Sequence, residues 1–195
     1  MVGRTKYMSR SEVAQLREKA RLWALDDLQH GRRRGDTAWL LVDLVLATGL
    51  RVGELSDIQI EDFDWTRGFL TIRRLKKRGM VQQEPLALDR ATLDHVKEYL
   101  AGRTTGPLFI GQRGPMKFRG LQELWLSAIK RAGLPHYSIH AGRHTIAVFL
   151  LRKTGNLRVV QKQLGHKSPT TTANMYADVS FEDMAKAVSG LYKDE

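Results

Sequence analysis

The chain has 195 residues, 42% of them hydrophobic and 27% charged, which is room for one ordinary domain, or one domain with arms, around an apolar core. It contains no cysteine, which excludes disulfides, thiolate metal sites and cysteine nucleophiles and fits a reducing cytoplasm. Lys+Arg of 32 against Asp+Glu of 21 leaves a net charge of +11, an excess that points to a polyanionic partner, nucleic acid first.

The opening MVGRTKYMSR lacks the apolar segment of a secretory signal. Ser9 and Glu12 have the S-x-x-E spacing of a capping box, and apolar residues recur at helical spacing from Val13 to Leu28. GRRRGD (Gly31–Asp36) reads as a turn, with Asp36 capping a second helix predicted from Thr37 to Thr48 and stopped by Gly49. That helix holds the longest apolar stretch, Ala38–Ala47, which Asp43 interrupts and which is too short to span a bilayer. A short helix is predicted over Val52–Ile58. GFLTIRRL and MVQQEPLAL then read as two strands with KKRG at the bend. Asp89 opens a helix to Ala101, and Gly106 with Pro107 marks a loop. Further helices are predicted over Phe118–Ala132, Ala141–Lys153, Leu157–Leu164, Pro169–Tyr176 and Phe181–Tyr192. The expectation is an α+β fold, mainly helical, with a small antiparallel sheet. Positive residues recur in short clusters (Arg32–Arg34, Arg73–Arg78, Lys130–Arg131, Arg152–Lys153), as on a folded surface rather than a tail.

Four stretches carry residues suited to chemistry. ATGLRVGEL places Arg51 just after a helix-ending glycine and Glu54 in the first turn of the next helix; alone, these fit a surface arginine and a dipole-favoured carboxylate. The hairpin basics Arg73, Arg74, Lys76, Lys77 and Arg78 fit a solvated or phosphate-contacting face. HAGRH sets His140 and His144 at i, i+4, a metal-ligand spacing. Ala141 stands where a zinc protease would need its glutamate, and no acidic third ligand is near. His140 and Arg143, at i, i+3, also share a face, a proton acceptor beside a planar cation. LGHKSP and NMYADV add His166 and Tyr176, which alone fit a cap residue and a half-buried core tyrosine.

Their order changes the reading. Arginine, hairpin lysine, His-x-x-Arg, Gly-His and tyrosine closely resemble the tyrosine recombinase (phage integrase) family, from about Arg4 to the C-terminus. The resemblance implies a tyrosine recombinase catalytic domain in which Arg51 and Arg143 are clamp arginines, His140 and His166 the motif histidines, and Tyr176 the nucleophile. Lys77 registers best as the hairpin lysine, with Lys76 the alternative; Arg73, Arg74, Lys76 and Arg78 are the expected DNA contacts. Two departures stand out. Gly142 occupies a position that is usually leucine, and the tyrosine follows His166 by one residue more than usual, with the Thr170–Thr172 run to absorb it.

A tyrosine hydroxyl, with its pKa near about 10, must lose its proton during attack on a phosphodiester. Always-protonated guanidiniums hold the non-bridging oxygens, and Lys77 would protonate the departing 5′-hydroxyl. His140 would take the tyrosine proton, or orient the phosphate while another group does; His166 would donate a hydrogen bond to it. The resemblance implies a 3′-phosphotyrosyl link needing no cofactor, neither ATP nor metal. It further implies double-stranded DNA as partner and a homotetramer on paired sites, docked through the C-terminal segment, with no membrane association. The apolar stripe Phe181, Met184, Val188 and Leu191 suits that docking or packing on its own domain. Residues 1–195 are expected to be the catalytic domain alone, without the N-terminal core-binding domain of many relatives, in a cytoplasmic, nucleoid-associated protein. Two other readings share the motifs: a DNA-relaxing type IB topoisomerase, and a non-catalytic DNA-binding protein on the same scaffold.

Overall fold

A computed structural model of the chain describes residues 7–75 and 81–165. Helix α1 (Arg10–Gln29) starts where the capping box predicts. The Glu12 backbone N–H donates to the Ser9 hydroxyl at 3.2 Å, and the Ser9 N–H donates to the Glu12 carboxylate at 2.7 Å. Met8, just ahead of the cap, is fully buried, and its N–H donates to Thr145 Oγ1 at 2.9 Å.

Helix α2 (Arg34–Thr48) is the axis of the fold. It is apolar around most of its circumference, so it is stable only when surrounded; α1 and three later helices pack on it. Asp43, the charge inside its apolar run, is buried but paired: Arg17 Nε donates to it at 2.7 Å and His95 Nδ1 lies 2.8 Å away. Without such partners a buried carboxylate would cost several kcal/mol.

The sequence predicts α2 from Thr37 with Asp36 as its cap, but the helix begins three residues earlier, at Arg34. Capping comes from the preceding helix: the Gly35 N–H donates to Asp27 Oδ2 at 2.7 Å. A Cβ on Gly35 would run into the Trp23 backbone carbonyl, so only glycine permits that approach. Asp36 lies buried in the first turn instead, bound by the Arg33 guanidinium at 3.0 Å.

After α2 come the short helix α3 (Val52–Ser56), a 3-10 turn (Ile60–Asp62), and strands β1 (Phe63–Asp64), β2 (Phe69–Leu75) and β3 (Val81–Ala87). The three strands form an antiparallel sheet in that order, with Ile72 opposite Glu84 and Arg74 opposite Gln82. Helix α4 (Arg90–Leu100) is capped by Asp89, which accepts the Thr92 N–H at 2.7 Å. A small hairpin, β4 (Ile110–Gly111) with β5 (Gly114–Pro115), precedes α5 (Phe118–Arg131), α6 (Ile139–Thr154) and α7 (Leu157–Leu164). The expected mainly helical α+β architecture is therefore present, and β1 and the β4–β5 hairpin are additions to it. Helix α6 starts two residues earlier than predicted and α3 ends two earlier. Among the described residues no helix is long and apolar enough to cross a membrane. The helices predicted at 169–176 and 181–192, and the apolar stripe on the second, lie outside the described residues.

Candidate active site

Helix α2 ends at Gly49 in the left-handed region, φ 64°, where a Cβ would clash with Leu164 and Ile146 side chains. That turn reverses the chain and makes Arg51 the residue that precedes the first turn of α3. Its backbone N–H donates to Glu54 Oε2 at 2.8 Å and its guanidinium Nη1 to Glu54 Oε1 at 2.9 Å. The Arg51 side chain is 47% exposed, so its outer face is open to solvent while the carboxylate fixes the inner one.

Arg143, one turn into α6, reaches the same place from the opposite direction. Only 6% of it is exposed. Nη1 donates to the Gly49 carbonyl at 2.5 Å and Nη2 to the Leu164 carbonyl at 2.7 Å. Two of its five N–H donors are thus spent on backbone that ends two different helices. Its pKa is lowered from the ordinary guanidinium value to about 10, first by burial, then by the positive charge of Arg51; Arg74 adds to the lowering and Glu54 opposes it. At neutral pH Arg143 is a charged group held where burial and the neighbouring Arg51 disfavour charge.

The close approach of α6 to α2 depends on Gly142. A Cβ there would sit 2.5 Å from Val45 Cγ1 and 3.0 Å from the Trp125 ring. Trp125 is fully buried, and its indole N–H donates to the Tyr137 carbonyl at 2.9 Å. Val45 and the large indole together leave no room for a side chain at 142, which glycine alone accepts without displacing them. His140 stands on the first turn of α6 with its side chain exposed.

The hairpin differs from its sequence reading. Strand alternation turns Leu70, Ile72 and Arg74 to the buried side and Arg73 outward. Arg73, 43% exposed, donates to both oxygens of the buried Asp62, at 2.5 and 3.1 Å. The sequence places Arg74 on the DNA-contacting face; the structure buries it to 7% exposure. Its Nη1 donates to Glu84 Oε2 at 2.5 Å, its Nη2 to the Gln163 carbonyl at 3.3 Å, and its Nε lies 3.4 Å from Glu54 Oε1 without hydrogen-bond alignment. The period-2 pattern of β2 contains the signal: residue 74 shares a face with two core aliphatics. Glu84, on the inward face of β3, was likewise not singled out from sequence.

Arg51 and Arg143 therefore meet as the motif order implies, with Glu54 between Arg51 and Arg74, and His140 at the rim of the same helix. Lys76, Lys77, Arg78, His166 and Tyr176 lie outside the described residues. The described neighbours Leu75 and Gly165 bring the chain up to them from β2 and from the end of α7.

The model of the phage integrase family matches residues 15–183. The chain belongs to that family. It is 35% identical over 184 residues to the tyrosine recombinase XerC of Mycobacterium sp. (strain KMS), spanning 88% of this chain and 60% of that protein. The crystal structure of XerA recombinase superimposes with a TM-score of 0.74 at 24% identity, over 94% of this chain and 62% of that one. A lambda integrase tetramer bound to a Holliday junction gives a TM-score of 0.63 at 22% identity, over 87% of this chain and 47% of that one. The fold is that of the tyrosine recombinase catalytic domain. The chain spans about 60% of the length of the mycobacterial relative it matches.

Proposed function

We propose that this chain carries the catalytic domain of a site-specific DNA recombinase that cuts and rejoins strands through a 3′-phosphotyrosyl intermediate. The observation that carries the reading is the convergence of Arg51 and Arg143: the second guanidinium is locked by the carbonyl of Gly49, two residues before the first. A phosphodiester placed there would meet Arg51 from the solvent side and the remaining donors of Arg143 from below. Charge developing on the non-bridging oxygens is then met by groups that need no reorganisation.

Tyr176 supplies the nucleophile. Its oxygen forms the bond to phosphorus as the bond from phosphorus to the 5′ oxygen breaks, and its proton passes to His140, or His140 orients the phosphate while another base accepts it. Lys77, with Lys76 as the alternative, protonates the leaving 5′ oxygen, and His166 hydrogen-bonds the phosphate. Attack by a 5′-hydroxyl of another strand reverses each transfer and frees the tyrosine. The phosphotyrosine link keeps the bond energy, so ATP and metal have no step to serve. Arg73, Lys76 and Arg78 serve as phosphate contacts of the hairpin. Lambda integrase forms a tetramer on a Holliday junction; four copies of this chain on paired duplex sites, docked through residues beyond 180, is the corresponding assembly here, at work on the cytoplasmic nucleoid.

The test is covalent capture. Wild-type protein and Tyr176→Phe are incubated with a pool of randomised duplexes carrying a nick beside the scissile position, then denatured in SDS. Adducts from the wild type alone, followed by Holliday junctions between two captured sites, are expected. Relaxation of supercoiled plasmid without junctions would identify a topoisomerase instead. Binding without any adduct would identify a non-catalytic DNA-binding protein. Adducts at wild-type yield from Tyr176→Phe would remove Tyr176 as nucleophile.

A further inference from the structure

The strand-cleavage chemistry uses Arg51 and Arg143, yet a third guanidinium, that of Arg74, is buried beside them and has no part in it. Arg74 interacts with three elements at once: Glu84 on β3 at 2.5 Å, Glu54 on α3 at 3.4 Å, and the Gln163 carbonyl in the last turn of α7 at 3.3 Å. It joins the sheet, the partner of Arg51 and the end of α7.

The end of α7 is where such a tie matters. A helix leaves its last four carbonyls without intrahelical partners and its C-terminus negative, so cations there are favoured. The Gln163 carbonyl accepts from Arg74 and the Leu164 carbonyl from Arg143. Apolar packing does little for this helix. It has eight residues and buries Val160 and Leu164 in a satellite cluster with Ala147, apart from the main core. A helix that short is marginal on its own. Gly165 closes it in the left-handed region at φ 63°, and any Cβ there would overlap the Arg74 guanidinium. The glycine and the arginine are therefore fitted to each other, and the residue after that glycine is His166.

We propose that Arg74 is a positioning residue: it locks the C-terminal end of α7 to the Glu54–Arg51 pair and so sets the place from which the chain leaves toward His166 and Tyr176. The kinetic part of the test rests on the strand-cleavage reading; the structural part does not.

Arg74→Leu continues the apolar row of Leu70 and Ile72, and the double variant Arg74→Leu/Glu84→Leu also removes the carboxylate left behind. The single variant leaves Glu84 without its partner and is expected to melt below the wild type. The double variant is expected to melt near it, because replacing a buried ion pair by aliphatic side chains is often neutral or stabilising but removing one partner is not. Hydrogen exchange followed by mass spectrometry should nevertheless show peptides over 157–165 exchanging at least about fivefold faster, with those over α2 unchanged, since local opening is reported separately from global unfolding. Single-turnover cleavage of the captured nicked duplex should fall about tenfold or more with its dissociation constant within about twofold, the pattern of an interaction lost only in the transition state. Arg74→Lys, one point charge for three acceptors, should recover part of the rate. Exchange in 157–165 within about twofold of wild type overturns the proposal, as does faster exchange with unchanged cleavage. Full rescue of the variants by a 5′-bridging sulfur in the DNA also overturns it, because the defect would then lie in protonating the leaving group. If the wild type captures no DNA, the strand-cleavage reading fails, and the exchange result still decides the role of Arg74.

Discussion

Both ends of α2 carry arginines beside buried acids or carbonyls, and the two ends are built in different ways. At the N-terminal end the acids are buried and the arginines lie half in solvent: Asp27 is 6% exposed against 55% for its partner Arg32, and Asp36 is 8% exposed against 48% for Arg33. At the C-terminal end Arg51 is still half in solvent over a buried acid, but two further arginines are themselves buried, Arg143 at 6% and Arg74 at 7%. The pKa directions follow. Burial alone would raise the Asp27 pKa, but the Gly35 N–H and Arg32 outweigh it and the value is lowered, so the charge is fully answered. Arg143 is lowered too, which for a cation means the charge is under-answered. One end is a finished structural joint. The other is a joint left positive.

The largest effect should come from breaking the unfinished joint. Arg143→Ala and Arg51→Ala are each expected to slow strand cleavage by about 10²- to 10³-fold, the scale of one lost charge-stabilising donor. Arg32→Ala at the finished end should leave it within about twofold at temperatures where the variant is folded. Single-turnover rates on the captured duplex give all three. Comparable losses from Arg32→Ala would mean that the two ends do not differ in function.

A second test concerns what allows the positive joint to form. Gly142→Leu forces a side chain between α6 and α2, and overpacking of that kind costs about 1–3 kcal/mol. For a domain of this size that is a fall in Tm of roughly 2–4 °C for each kcal/mol. Trp125→Leu should itself destabilise by opening a cavity. The double variant should recover about 1 kcal/mol or more relative to the sum of the two, because the side chains compete for one volume. Strict additivity in thermal melts would show that Trp125 does not compete with a side chain at 142.

The finished joint should respond by a little less. Asp27→Asn weakens the cap on Gly35 and removes the ion pair with Arg32, a loss of about 1–2 kcal/mol. The group's folded pKa lies below its ordinary value of 3.8, so its contribution is present above that pH and disappears as pH falls through the folded value. Wild type and Asp27→Asn should therefore converge in stability as pH falls through the folded value, while cleavage at neutral pH stays the same. Denaturant melts at several pH values provide the measurement, and a stability gap that persists at low pH would mean that the cap, not the charge, is what Asp27 supplies.

The two joints also differ in how far sequence alone discloses them. Local spacing carried Ser9 with Glu12, the stop at Gly49 and Leu157–Leu164, because in each the interacting groups lie within a turn or two. Arg51 and Glu54 read separately, as a surface arginine and a dipole-favoured carboxylate, and the structure pairs them. The finished joint was half legible: Arg32, Arg33 and Asp36 stood out, but Asp27 reaches across from another helix to cap Gly35, and a reading confined to the next three residues gives that job to Asp36. At the active joint the partners lie 94 and 89 residues apart, Arg143 with Gly49 and Arg74 with Gln163. The family resemblance put Arg51 and Arg143 in one site, but did not disclose the hydrogen bond from Arg143 to Gly49. The second has no motif, only a strand whose inward row ends in an arginine. The two-residue strands β1, β4 and β5 are too short to show alternation; each exists because a partner strand is beside it.

The smallest effect tests the comparison most directly. A folded pKa lowered from the ordinary guanidinium value to about 10 means that holding Arg143 charged in its place costs on the order of a few kcal/mol at neutral pH. Between those two values the unfolded chain keeps the proton that the folded chain has released, so this group's contribution to stability rises with pH across that window. An anion in the pocket opposes the burial and the repulsion from Arg51 that lower the value. Inorganic phosphate should therefore bind weakly and stabilise the fold by about 0.4 kcal/mol when its concentration equals its dissociation constant, a rise in Tm of roughly 1–2 °C. The rise should be the same at pH 7.5 and 9, where Arg143 is protonated, and should fade at about pH 10.5 as the guanidinium loses its proton. Arg51→Ala should lose it at every pH; Arg32→Ala should keep it. Differential scanning fluorimetry over a phosphate series at the three pH values distinguishes these outcomes. A rise that survives in Arg51→Ala would place the bound phosphate elsewhere on the basic surface, and the C-terminal end of α2 would then be as complete in itself as the N-terminal end.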